Sequence, residues 1–265
     1  MRHWSLWLFS VVFAAAAPEY VVDDFEADAV RSGLWSPSGG QPGRAGVTDA
    51  IPAFSGRRSL RITVVPGDNR MIGRQSNPTE RYELTLRRPQ VQLGREVWYA
   101  FALRVPADFP TAATRTIIHQ FKENVRPVPP GMPAEVKHCE KASPAFALYL
   151  EAGRRLVALT TSSTACDHTR HVLAERPLAA DRWYEIMVHT RPAHEASGFL
   201  DLYLDGELIG QYRGVMGYVC HGLGHIDTQP RFGIYRDAHP QAGPATLYYD
   251  AIRFAADRAG LRRGP

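Results

Sequence analysis

The stretch LDLYLDGELIGQY, residues 200–212, sets the character of the chain. Two strand-forming runs meet there at Asp205-Gly206, a pair that tolerates the positive φ angles of a two-residue hairpin turn. The same rhythm extends outward from this point. From Tyr20 onward, runs rich in Val, Ile, Phe, Tyr and Thr alternate with turns rich in Gly, Pro, Asp and Asn. This predicts strands over residues 20–25, 59–65, 81–86, 96–105, 115–122, 145–150, 155–161, 183–190, 198–204, 207–212, 231–236 and 245–254. No long stretch carries a 3.6-residue apolar period, and residues 255–261 suit only a short helical turn. Strand after strand without βαβ units predicts an all-β fold, an antiparallel β-sandwich or jelly roll.

A second turn is expected at Glu151-Ala152-Gly153-Arg154, centred between Ala152 and Gly153. Regular pairing across it sets Leu150 against Arg155, Leu148 against Val157 and Phe146 against Leu159. Continued past the strand ends, that register puts Cys139 opposite Cys166, close enough for a disulfide, and leaves Cys220 free. None of the three cysteines forms a Cys-x-x-Cys pair, so a zinc site is not expected. Residues 123–143 form a proline-rich irregular stretch, long enough to suggest a functional loop.

The N-terminus reads as an export signal. Arg2 precedes an uncharged run from Trp4 to Ala17, shorter than the ~20 residues of a membrane-spanning helix. Small residues Ala14 to Ala17 close it, with cleavage expected after Ala16. Residues 17–265 then form one domain, secreted or periplasmic, with no membrane attachment after cleavage and expected to be monomeric. The net charge of +4 favours a polyanionic partner but is too mild and too dispersed for nucleic acid.

Three strands place polar residues on one face. Arg81-Tyr82-Glu83-Leu84-Thr85 is polar at its odd positions. In Ile117-Ile118-His119-Gln120-Phe121-Lys122, Gln120 and Lys122 share a face and His119 and Phe121 share the other, toward the core. In Arg231-Phe232-Gly233-Ile234-Tyr235-Arg236, Arg231, Gly233 and Tyr235 lie together. Gly233 interrupts that strand where a ligand would come close to the backbone. Side by side, these strands would make one cationic, hydrogen-bonding sheet face.

These three segments, in this order, resemble the signature strands of the jelly-roll polysaccharide lyases of the glucuronan and heparin lyase type, with motif similarity to alginate lyases. The resemblance covers nearly all of the chain after the signal and includes Gly233-Ile234-Tyr235-Arg236 and Tyr248-Tyr249-Asp250. It implies a concanavalin-like jelly roll that cleaves an acidic, uronic-acid-containing polysaccharide by β-elimination, with glucuronan the best single substrate and no organic cofactor. It implies catalytic roles for Tyr235, Lys122, Gln120 and Arg81, and substrate binding by Arg231 and Glu83. Arg81 and Gln120 would hold the uronate carboxylate and stabilise the enolate-like charge. Tyr235, its phenolate favoured by Arg231 and Lys122, would carry protons. Lys122 stands where the family's second motif carries a His that acts as base in several members, so either Lys122 is the base or Tyr235 does both transfers. A non-catalytic carbohydrate-binding protein on the same scaffold is the alternative. A retaining glycosidase trails, because no carboxylate pair stands at these positions.

Asp24 and Glu26 on the first strand and Asp250 on the last would come together if the terminal strands pair. Their oxygens would suit a structural calcium, as some members of the resemblance group hold one there. Trp98 and Trp183 are expected in the core.

Overall fold

The computed structural model describes residues 21–39, 41–68, 78–88, 91–110, 115–125, 144–163, 168–218, 225–239 and 242–261. In chain order the strands are β1 (Val21–Asp23), β2 (Trp35–Ser38), β3 (Ala45–Thr48), β4 (Ser59–Val64), β5 (Thr79–Leu86), β6 (Val97–Arg104), β7 (Thr116–Val125) and β8 (Phe146–Glu151). They continue with β9 (Arg155–Ser163), β10 (His168–Pro177), β11 (Trp183–Arg191), β12 (Phe199–Leu204), β13 (Glu207–Arg213), β14 (Gly217–Tyr218), β15 (His225–Asp237) and β16 (Ala245–Ala255). One helical turn, α1 (Arg258–Leu261), follows.

The strands form two sheets. The first runs β13-β12-β11-β6-β16-β4-β3, with β1 added beside β16. The second runs β10-β9-β8-β7-β15-β5-β2, with β14 lying parallel to β9. The other pairings are antiparallel, as expected of a β-sandwich jelly roll. Between the sheets lies one core. Tyr99, Phe101, Leu103, Ile62 and Tyr249 face it from the first sheet; Leu84, Phe121, Phe146, Phe232 and Ile234 face it from the second. Tyr99, Phe101, Phe121 and Phe232 close around His119 with ring centroids 4.6–5.6 Å from it. Contacts of this kind add to the area burial that holds such sandwiches together.

Strands β2, β3, β10 and β14 are additional to those predicted from the sequence. The first three lie at sheet edges, where Pro37, Gly46 and the charged run of β10 are tolerated because one side of the strand needs no ladder partner. The Asp205-Gly206 hairpin forms as expected, with Leu204 opposite Glu207 and both turn residues at positive φ, 49° and 84°.

The other hairpin differs by one residue. Leu150 pairs with Leu156, Leu148 with Ala158 and Tyr149 with Val157. The turn takes three residues, Ala152–Arg154, with Gly153 and Arg154 at φ 70° and 59°, so it is centred on Gly153. The register that set Cys139 against Cys166 therefore does not hold in this hairpin. The three cysteines, the export signal and most of the proline-rich stretch lie outside the described residues.

Trp98 and Trp183 are also not where expected. Both are only half-buried; Trp98 stacks on His189 at the outer surface of the first sheet, and Trp183 donates to the Pro52 carbonyl.

Candidate active site

Strand β15 runs between β5 and β7, and so assembles the three polar segments into one face. Arg231 lies opposite Thr85 on one side and Gln120 on the other; Gly233 lies opposite Glu83; Tyr235 lies between Arg81 and Ile117. Lys122 pairs with Gln229 farther along. The outward face of the second sheet thus carries Arg81, Glu83, Gln120, Lys122, Arg231 and Tyr235.

Two register shifts shape this face, one in β15 between Phe232 and Tyr235 and one in β7 between Ile117 and His119. The second turns Ile117 outward, where it packs with Ala147, Tyr149 and Val157 as an apolar floor beside Tyr235. Gly233 has φ 150°, and a Cβ there would lie 2.3 Å from the Tyr82 carbonyl oxygen. The neighbouring strand, rather than a ligand, accounts for this glycine.

The displaced carbonyls are satisfied from the core. The Tyr249 hydroxyl reaches across from the first sheet to the Ile118 and Gly233 carbonyls, at 2.7 and 2.9 Å. His119 bonds the Arg231 carbonyl through Nδ1 at 2.9 Å and the Tyr99 hydroxyl through Nε2 at 2.8 Å. Burial lowers the His119 pKa to about 3, against the Arg231 contact. His119 therefore braces the reactive strands as a neutral ring and faces the core, as its position in β7 predicted.

On the outward face, Glu83 and Gln120 are 1% and 3% exposed and joined by a 2.5 Å hydrogen bond from Gln120 Nε2 to Glu83 Oε1. Burial pushes the Glu83 carboxyl above its ordinary range, while the Gln120 bond and the charges of Arg231, Arg81 and Lys122 pull the other way. Arg231 is shifted down by burial, with Glu83 opposing that shift. Glu83 Oε2, Arg81 Nε and Arg231 Nε have no hydrogen-bond partner among the described residues. Arg81 Nε is 3.9 Å from Glu83 Oε2, an ion pair too long to be a hydrogen bond. Buried polar atoms left in this state are costly unless a ligand completes them.

Tyr235 lies between two guanidinium groups, those of Arg81 and Arg115, each 5.4 Å from its ring centroid. Arg231 and Lys122 are the cations expected beside Tyr235; the guanidiniums over its ring are instead those of Arg81 and Arg115. Burial opposes the charge on Arg115, but its 2.7 Å bond to Asp237 and the electrostatic pull of Asp237 and, more weakly, of Tyr235 and Tyr149 leave its pKa raised. Arg115 and Tyr149 carried no sequence signal, because only the pairing of β7 with β8 and β15 brings them here.

The acidic trio lies elsewhere. Glu26 Oε1 accepts the backbone N–H groups of Arg57 and Arg58, at 2.7 and 2.8 Å. Asp250 accepts those of Phe54, Ser55 and Ala251, at 2.9, 3.1 and 2.7 Å. Asp24 accepts only the N–H of Glu26, at 3.3 Å, among these bonds. The arrangement fits anchoring of the 54–58 loop, and among the described residues no three His, Cys, Asp or Glu side chains gather as metal ligands.

The sequence model of the polysaccharide lyase family matches residues 28–253, which contain every residue of this face. The chain belongs to the polysaccharide lyase family. Among solved structures, this lyase superimposes on the endo-β-1,4-glucuronan lyase of the fungus Trichoderma reesei with a TM-score of 0.67 and 17% identity, over 93% of this chain and 98% of that one. It is also similar to alginate lyase vAL-1 from a Chlorella virus, with a TM-score of 0.54 and 12% identity over 84% and 93% of the two chains. Alginate lyase Aly36B gives a TM-score of 0.52 and 11% identity over 91% and 98%. At these identities the likeness is one of fold. No curated protein matches the sequence. No helix among the described residues of this lyase is long and apolar enough to cross a membrane.

Proposed function

We propose that this lyase cleaves a polyuronate by β-elimination at the outward face of its second sheet, with Tyr235 as the proton carrier. The observation that carries the reading is the placement of Tyr235 between Arg81 and Arg115, on the face whose buried polar atoms have no partner among the described residues. The C5 proton of a uronate is acidic only when the adjoining carboxylate is neutralised. Arg231 and Arg81 supply positive charge, and the Gln120–Glu83 pair fixes their surroundings. Tyr235, as phenolate, takes the C5 proton. The C5 electron pair forms the C4–C5 double bond as the C4–O bond breaks, and the proton passes from Tyr235 to the departing glycosidic oxygen. The Arg81 and Arg115 guanidiniums, each 5.4 Å from the ring centroid, place positive charge beside Tyr235. Lys122, paired with Gln229 and acting electrostatically on Glu83, contributes charge toward the carboxylate rather than the proton transfer.

Glucuronan is the substrate we propose, supported by the Gly233-Ile234-Tyr235-Arg236 motif and by the fold shared with a glucuronan lyase along nearly the whole chain. A panel of glucuronan, alginate and heparin-type polymers tests it: an ultraviolet-absorbing unsaturated end should appear first with glucuronan. Equal or faster cleavage of another polyuronate would replace the substrate and leave the chemistry standing. Export with cleavage after Ala16 belongs to the same reading, and N-terminal sequencing of protein recovered outside the cytoplasm checks it.

A further inference from the structure

A groove of about 810 Å³ continues the reactive face toward the β2 edge of the sheet. Ser36, Ser38, Thr85, Arg87, Arg88 and Gln229 line it. Thr85 lies opposite Arg231 on β15 and opposite Ser36 on β2, so the groove and the reactive residues share one surface. The row runs from Tyr235 to Gln229, six residues along β15, which is about 20 Å at ~3.3 Å per residue. That length exceeds one sugar ring by severalfold. The Arg87 side chain is fixed by a bond from Nε to the Trp35 carbonyl at 3.2 Å, and its backbone N–H bonds the Leu34 carbonyl at 2.9 Å. Arg88, next to it, is exposed at the groove.

We propose that this groove is a distal subsite, with Arg88 binding the carboxylate of a second uronic acid residue several rings from the scissile bond. The proposal rests on the polyuronate reading above. Guanidinium recognises a carboxylate through charge-assisted hydrogen bonds, and Ser36, Ser38 and Gln229 suit the sugar hydroxyls around it. A subsite so far from Tyr235 binds ground state and transition state alike, so it governs affinity for long chains rather than the chemical step.

Arg88→Ala, compared with wild type on polymer and on the shortest oligosaccharide that is still cleaved, tests this. Loss of one charge-assisted contact should raise KM for the polymer about tenfold, leave kcat within about twofold, and leave the short substrate unaffected. Unchanged polymer KM, or equal losses on short and long substrates, would overturn the subsite. Arg88→Lys should recover part of the polymer affinity, because a point charge remains without the planar fork. If wild type forms no unsaturated product from any polyuronate, the polyuronate-lyase reading fails, and binding of the same proteins to immobilised polyuronate decides the groove separately. Weaker binding by Arg88→Ala supports it; equal binding, or none by either protein, removes it.

Discussion

The outer faces of the two sheets are built from similar residue types and do opposite things with them. On the first sheet, His189 stacks on Trp98 with ring centroids 3.8 Å apart and lies between Glu96 at 2.6 Å and Asp201 at 3.4 Å. Asp201 in turn meets Arg213 at 2.7 Å, and Arg253 is bonded to Glu185. Each of these side chains has a hydrogen-bonding or charged partner on the same surface. On the second sheet, the charges of Arg81, Arg231 and Lys122 act on the buried carboxylate of Glu83, and three buried polar atoms have no partner among the described residues. A closed ion network of the first kind adds a little stability and offers a ligand nothing. An open one costs stability and becomes favourable when an anionic ligand completes it. The difference lies in charge balance and burial, not in composition.

The largest expected effect comes from breaking the open face at its bulge. Gly233→Ala puts a methyl group against the Tyr82 carbonyl at a φ of 150°. It should lower stability by about 4 kcal/mol or more, read from the denaturant midpoint. Survival of normal stability would mean that the two strands can separate without cost.

Tyr235→Phe should leave the melting temperature near wild type and lower turnover by ~10²-fold or more, followed as unsaturated product. His189→Phe, on the closed face, should leave turnover unchanged, and a comparable loss there would erase the contrast between the faces. Lys122→Ala should reduce kcat/KM by about tenfold, as expected for a lost charge partner. A loss as large as that of Tyr235→Phe would instead make Lys122 the base.

Two buried titrating groups sharpen the comparison through pH. His119 has its folded-state pKa depressed from 6.5 to about 3, so its stabilisation is present above 6.5 and is lost as pH falls toward 3. Asp250 is raised from 3.8 to about 6, mainly by burial, so stability is lost as pH rises through that window. Between about pH 4 and 6 the two slopes oppose each other, each near 1.4 kcal/mol per pH unit. These two groups should therefore leave stability nearly flat there. Asp250→Asn should expose the His119 slope, with stability falling by about 1 kcal/mol per unit as pH drops from 6 to 4. A flat profile in that variant would mean that His119 is not held neutral.

The smallest expected effect concerns metal. Glu26 and Asp250 already accept five backbone N–H groups, so added calcium or a chelator should move the melting temperature little. A rise that grows with calcium concentration would show an ion shared with Asp24.

What the sequence by itself determined is what local pattern controls. Alternation of apolar residues and Asp-Gly turn chemistry marked most of the strands and the sandwich class, and strand periodicity put Gln120, Arg231 and Tyr235 on one face and His119 on the other. The edge strands escaped because Pro37, Gly46 and the charges of β10 are allowed where one side has no partner. Tertiary structure alone decided the rest. Two left-handed residues, Gly153 and Arg154, moved a hairpin by one position and removed the basis for placing Cys139 opposite Cys166. A bulge turned Ile117 outward and brought Arg115 and Tyr149 to Tyr235 from residues far apart in the chain. Register and bulges depend on how neighbouring strands satisfy each other's backbone, and that information is shared between segments rather than held in any one of them.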